Sequence, residues 1–137
     1  MPSLTGVLET SLYADDLDRA SRFYEETLGL TRIEGDERFR AYSVGGRSVL
    51  LLFKRGASNR VTELAAGKLG PHDGSGPLHL AFSISAEDLA AWEKLLVERG
   101  IAIETRIKWP RGGSSIYFRD PDNHSVELAT PGLWSIY

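Results

Sequence analysis

Residues 6–30 read GVLETSLYADDLDRASRFYEETLGL, and residues 77–101 read PLHLAFSISAEDLAAWEKLLVERGI. The two stretches differ in sequence but agree in plan: an alternating strand, an acidic Asp-Leu start, apolar residues at helical spacing, then Gly and a short apolar run. In the first, Asp15 or Asp16 is the N-cap, Leu17, Ala20, Phe23, Tyr24 and Leu28 form the inner stripe, and Gly29 stops the helix. In the second, Ser85 with Asp88 reads as a capping box, Leu89, Trp92, Leu95 and Leu96 make the stripe, and Gly100 is the stop. Working outward, strands are expected at 31–35, 38–44 and 47–53 after the first helix, and at 102–109, 114–119 and 124–130 after the second. The order is βαβββ, twice, an α+β fold built from an internal repeat.

The repeat sets the organisation of residues 1–137: a first module at 5–53, a connector at 54–76, a second module at 77–131 and a tail at 132–137. A half of some 60 residues buries only about 60% of its unfolded surface, so the modules are expected to share one domain. The connector KRGASNRVTELAAGKLGPHDGSG gathers Gly, Pro and Asn, with one helical turn expected near Val61–Ala66. Its length suits either a passive linker or a segment that covers a site. In the tail, Leu133, Trp134, Ile136 and Tyr137 are apolar enough to pack on the body or on a partner chain.

Composition narrows the function. The 137 residues carry a net charge of −3, with 42% hydrophobic and 26% charged residues, so neither a nucleic-acid footprint nor a disordered chain is indicated. Small molecules are the expected partners. There is no cysteine, hence no disulfide, thiolate zinc site or Cys nucleophile, and any metal must be held by His, Asp or Glu. No run approaches the roughly 18 apolar residues of a membrane span. A cytoplasmic protein is expected, without membrane or nucleic-acid contacts.

Strand alternation sorts the chemistry-bearing residues. In 7–14, Leu8 and Leu12 oppose Glu9, Ser11 and Tyr13; in 78–84, Leu78, Leu80, Phe82 and Ile84 oppose His79, Ala81 and Ser83. In 114–119, Ile116 and Phe118 oppose Ser115, Tyr117 and Arg119, and in 124–130 Val126 and Leu128 oppose Ser125, Glu127 and Ala129. An antiparallel sheet often shows its polar face to water, yet Glu9 and His79 hold matching places in the two copies. One imidazole and two carboxylates (His79, Glu9, Glu127) suit Mn²⁺, Fe²⁺, Co²⁺, Ni²⁺ or Zn²⁺ with positions left for substrate. Tyr117 is placed to donate a proton or hydrogen bond to a bound oxygen. His72 and His124 read as turn or surface residues, and Arg38, Arg40 and Arg111 as solvated surface arginines.

Three stretches, LETSLYADDLDRASRFYEETLGL, LHLAFSI and above all SSIYFRDPDNHSVELATP, resemble the vicinal oxygen chelate superfamily of glyoxalases, extradiol dioxygenases, and fosfomycin- and bleomycin-resistance proteins. The resemblance spans essentially residues 5–131 and implies paired βαβββ modules forming a cupped mixed sheet around a metal. It implies metal ligands at Glu9, His79 and Glu127, with catalytic roles for Tyr117 and Glu127. The family's remaining ligand position falls on Leu50 or Leu51, neither of which binds metal. That pattern is similar to the three-ligand dioxygenase and fosfomycin-resistance members. Ser11 and Ser115 fall where the fosfomycin group places substrate-contacting hydroxyls, and Arg119 and Trp109 are placed with them at the substrate. The resemblance implies a metal-dependent lyase, isomerase, transferase or dioxygenase, and a homodimer. The alternative is a metal-free small-molecule or antibiotic binding protein of the bleomycin-resistance type.

Overall fold

The computed structural model describes residues 1–137, which fall into two compact units, Met1–Ser75 and Gly76–Tyr137. The first unit runs β1 (Glu9–Ala14), α1 (Leu17–Arg22), β2 (Thr31–Gly35), β3 (Phe39–Val44) and β4 (Ser48–Lys54), followed by a small hairpin of β5 (Thr62–Leu64) and β6 (Gly67–Leu69). Its main sheet has the order β1-β4-β3-β2, with β1 parallel to β4 and the other pairs antiparallel. The second unit repeats the plan with β7 (His79–Ser83), α2 (Leu89–Glu98), β8 (Thr105–Lys108), β9 (Ser114–Arg119) and β10 (Ser125–Ala129), in the order β7-β10-β9-β8. This is the twofold βαβββ arrangement of an α+β protein.

Local chemistry explains the helices. Asp16 is the N-cap of α1, its carboxylate accepting the Arg19 backbone N–H at 3.1 Å. After Arg22 the ladder widens, the N–H of Leu28 reaching the Phe23 carbonyl at 3.3 Å, so residues Phe23–Thr27 form a π-helical turn that the 3.6-residue period did not foresee. Leu17, Ala20, Tyr24 and Leu28 are buried as the stripe requires. Gly29 and Gly100 end the two helices at φ +71° and +72°, the left-handed region that glycine enters without strain. Ser85 Oγ accepts the Asp88 N–H at 3.3 Å, but the intervening residues form a turn and α2 begins only at Leu89.

Three expectations are corrected. The segment 61–66 is not helical. A lone turn of helix has no cooperative support, whereas pairing Thr62 with Leu69 and Glu63 with Lys68 closes a hairpin across Ala65–Ala66, and Lys68 Nζ lies 3.2 Å from Glu63. Leu8 precedes β1 and is exposed, so Leu12 and Ala14 alone carry the inner face of that strand. His124 is not a surface residue; it is 1% exposed, and its Nδ1 accepts the Leu78 N–H at 2.8 Å. The tail packs on the body as expected, Tyr137 Oη donating to the carbonyls of Ala129 (2.7 Å) and Ile84 (3.2 Å) and the Gly132 carbonyl accepting the Gly113 N–H (3.2 Å), while Trp134 and Ile136 stay exposed.

Strand register fixes which side chains share a face. In the first unit Ser11 lies opposite Leu51 and Tyr13 opposite Phe53; in the second Ala81 lies opposite Glu127. Ser11 follows Glu9 by two residues as Ala81 follows His79, so Leu51 holds in the first unit the place that Glu127 holds in the second. Leu50 and Leu52, each 1% exposed, point the other way, into the core with Leu12.

Candidate functional site

In the second unit the polar face of the sheet gathers His79, Ser115, Tyr117 and Glu127. Tyr117 lies directly across from Glu127, and the His79 ring stacks on Tyr117 with centroids 6.1 Å apart and planes 24° from parallel. Glu127 is a buried carboxylate, 4% exposed. Its Oε1 accepts the Ser115 hydroxyl at 2.5 Å, and Ser115 Oγ in turn accepts the indole N–H of Trp109 at 2.8 Å. Its Oε2 lies 3.2 Å from His79 Nε2.

The tautomer of His79 follows from its other contact. Nδ1 is 2.9 Å from the Ser125 carbonyl, which can only accept, so Nδ1 carries the hydrogen and Nε2 presents its lone pair toward Glu127. A lone pair facing a carboxylate oxygen requires a cation between or beside them, either a second proton or a metal ion. His79 Nε2 and Glu127 Oε2, 3.2 Å apart, are of the donor types that would hold a divalent ion. The imidazole held by a carbonyl and the carboxylate held by a hydroxyl are the outer contacts that orient metal ligands. The donor set therefore fits a divalent ion. Burial, then hydrogen bonding to Glu127 and its negative charge, hold the Tyr117 hydroxyl above the usual phenol range, so it keeps its proton at neutral pH.

The other residues expected at this site lie elsewhere or act differently. Ser115 is 1% exposed with its hydroxyl committed to Glu127, so it positions the carboxylate. Trp109 acts on Ser115 through its N–H. Arg119 is engaged by Glu104 at 2.8 and 3.1 Å and by the Asn123 carbonyl at 3.1 Å, at the outer end of β9. Glu9 and Ser11 belong to the first unit, and no three His, Asp or Glu side chains are disposed to hold a metal by themselves.

The first unit contains a cleft of about 720 Å³ over its own sheet face, reached by Glu9, Ser11, Tyr13, Leu51 and Phe53 and walled by the β5–β6 hairpin. The connector's hairpin and His72 border this cleft. Tyr13 Oη and His72 Nδ1 are hydrogen-bonded at 2.8 Å, and the His72 ring stands edge-on to Phe53 at 4.5 Å. Phe53 also packs on Tyr13 (6.1 Å) and Phe39 (5.8 Å). Burial, then the charge of Asp73, raise the Tyr13 hydroxyl above its ordinary pKa. Gly74 abuts the Tyr13 ring so closely that a Cβ there would stand 2.7 Å from Cε2, leaving no room for a side chain. Arg38 lines the same cleft, Nη1 donating to Thr62 Oγ1 at 2.8 Å. Sequence reasoning passed over His72 and Arg38 as surface residues. The usable signal was the odd-position set Leu51 and Phe53 beside Ser11 and Tyr13, which becomes visible only once β1 is paired parallel to β4.

Comparison with known proteins agrees with this architecture. The chain is 30% identical over 132 residues to the metallothiol transferase FosB of Bacillus licheniformis, covering 96% of this chain and 79% of that protein. It is 30% identical over 123 residues to the glutathione transferase FosA of Serratia marcescens, covering 90% and 79% respectively. Among solved structures it is similar to lactoylglutathione lyase from Agrobacterium tumefaciens, with a TM-score of 0.89, 31% identity, and 98% and 99% of the two chains covered. The signature of the Glyoxalase/Bleomycin resistance protein/Dioxygenase superfamily matches residues 6–128, which takes in both βαβββ units and every residue of the His79–Glu127 cluster, and the chain belongs to that superfamily.

Proposed function

We propose that this chain is a divalent-metal-dependent enzyme of the superfamily, acting on a small substrate that presents adjacent oxygens, with His79 and Glu127 as metal ligands and Glu9 as the third. The observation that carries the reading is His79 Nε2 standing 3.2 Å from a buried carboxylate while Nδ1 lies 2.9 Å from the Ser125 carbonyl, a pairing that a cation completes. The relatives named above are a lyase and two transferases, which supports lyase or transferase chemistry here. A bound Mn²⁺, Fe²⁺, Co²⁺, Ni²⁺ or Zn²⁺ supplies Lewis-acid polarisation of a substrate oxygen.

The chain's own residues do the rest. Ser125 holds His79 in one tautomer, and Ser115 with Trp109 holds Glu127 in one orientation. Tyr117, protonated and beside Glu127, offers a hydrogen bond to substrate oxygen and is a catalytic acid in this scheme. The working unit is a homodimer acting on a small molecule.

Metal analysis of protein stripped with EDTA and reloaded tests the reading. One tightly held ion per chain, lost in His79→Ala and Glu127→Ala and weakened in Glu9→Ala, is expected; no stoichiometric metal under any loading overturns it. Light scattering is expected to give a dimer mass. A metal-free binding protein of the bleomycin-resistance type is favoured by one feature, Leu51 at the first-unit place equivalent to Glu127. Ligand binding indifferent to EDTA, with no metal retained, would establish that alternative.

A further inference from the structure

Among the buried side-chain polar atoms of the first unit with no protein partner, Ser21 Oγ, Arg38 Nε, Arg40 Nε and Ser58 Oγ, two belong to residues that line its cleft: Arg38 and Ser58. Ser58 is 4% exposed, and its carbonyl accepts the His72 N–H at 2.8 Å, which ties it to the His72 wall. Orphaned buried donors are rare in folded proteins and call for an explanation. Arg38 forms no ion pair. Thr62 takes Nη1, which leaves the Nε–Nη2 edge, the edge that receives a carboxylate bidentately, without a protein partner. Asp36 lies on the same lining but forms no ion pair with the guanidinium; its Oδ1 accepts the backbone N–H groups of Arg38 (2.7 Å) and Phe39 (3.1 Å).

Around this charge stand four rings. Tyr13, Phe39, Phe53 and His72 pack at centroid separations of 4.5 to 6.1 Å, and the Arg38 guanidinium lies over Phe39 at 6.0 Å. Aromatic rings accept a further ring at such spacings, stacked or edge-on. Glu9, Glu34 and Asp36 are exposed on the cleft lining, and their charges disfavour a multiply charged anion such as a phosphate ester far more than a single carboxylate that Arg38 can pair. A volume of about 720 Å³ is ample for one or two fused rings.

We propose that this cleft is a binding site for an aryl carboxylate, its ring held among Tyr13, Phe39, Phe53 and His72 and its carboxylate received by Arg38 and Ser58. The cleft is bordered by Glu9, which the metal-enzyme reading also uses, but the ligand's charge is met by a guanidinium of the chain itself, so this binding needs no metal.

Calorimetric titration tests it, with 2-naphthoate, the neutral 2-naphthylmethanol and the cationic 2-naphthylmethylamine as probes, in the presence of EDTA and again with divalent metal. Naphthoate is expected to bind at least tenfold tighter than the alcohol, and the amine weakest of the three, whether or not EDTA is present. Arg38→Gln is expected to cost naphthoate roughly ten- to a hundredfold, as for a hydrogen bond to a charged group, and to leave the alcohol unchanged. Ser58→Ala is expected to weaken naphthoate by several-fold. Equal affinity for acid and alcohol, preference for the amine, absence of binding, or loss of naphthoate binding in EDTA would each overturn the proposal. The probe comparison uses the natural chain, so the test stands even where Arg38→Gln unfolds the hairpin. The metal count per chain, measured separately, reports on the enzyme reading without touching this one.

Discussion

Replacing Ser115 with Ala removes one oxygen and breaks a two-step chain of hydrogen bonds, Trp109 N–H to Ser115 Oγ at 2.8 Å and Ser115 O–H to Glu127 Oε1 at 2.5 Å. The second bond ends on a carboxylate with 5% of its side-chain surface exposed, so water cannot take over the lost donor. A hydrogen bond to a charged group contributes about 1.5–3 kcal/mol, and the stranded indole N–H adds about 0.5–1.5 kcal/mol. The variant should therefore lose about 2–4.5 kcal/mol, a large share of the roughly 5–15 kcal/mol that holds a domain together. Urea unfolding followed by circular dichroism measures it, with an unchanged m-value showing that stability rather than the unfolded ensemble has moved. A cycle with Trp109→Phe separates the two bonds: in the Ser115→Ala background that second change should cost less than in the natural chain, because the hydrogen-bond partner is gone and only ring packing is lost. A loss under about 0.5 kcal/mol, or full additivity with Trp109→Phe, would refute the view that Ser115 is the buried support of Glu127. Under the metal-enzyme reading the same variant should also weaken metal affinity by about 10- to 100-fold.

Other outcomes follow from the same geometry. Tyr42, Tyr13 and Tyr117 are all held above the ordinary phenol value of 10.0, chiefly by burial, so the stability they contribute is complete below that pH and is lost as pH rises through the raised native values. Tyrosinate absorbance near 295 nm should rise together with unfolding, and Tyr42→Phe should remove part of the alkaline sensitivity. Asp73 is held below its usual value of 3.8, first by the Gly56 N–H and then by that of Gly74. Its contribution is present above the unfolded value and lost as pH falls through the lowered one, so Asp73→Asn should flatten the acid limb of a melting-temperature profile. Gly74→Ala should push the Tyr13 ring from His72 and abolish naphthoate binding in calorimetry while the fold, read by circular dichroism, survives. Leu96→Ala, at a residue with no exposed surface, should cost about 2–5 kcal/mol in urea unfolding.

The sequence was informative wherever the deciding interaction is local. The first helix stripe, the Asp16 cap and the Gly29 and Gly100 stops depend on neighbours three or four residues away and appear where the spacing put them, whereas of the second stripe Leu96 alone is buried. The departures are instructive in the same terms. The π-helical turn at Phe23–Thr27 keeps the burial of Tyr24 and Leu28 but alters the hydrogen-bond ladder, which a stripe of apolar residues cannot report. The segment after Val61 carries too few residues for either period to declare itself, and cross-strand pairing made it a hairpin.

By itself the sequence determined the twofold βαβββ plan and the side of each strand on which His79, Glu127 and Tyr117 stand, because a strand's two-residue period assigns faces without reference to anything distant. Tertiary structure decided what those faces meet. Parallel pairing of β1 with β4 made Leu51, not Leu50, the counterpart of Glu127. Contact between β9 and β10 turned Ser115 into the support of a buried carboxylate. The fold-back of the connector brought Thr62 to Arg38 and His72 to Tyr13, residues 24 and 59 positions apart, and so built a cleft from side chains that read singly as surface. Such contacts close long loops whose entropy is repaid only by the assembled sheet, so no local pattern encodes them.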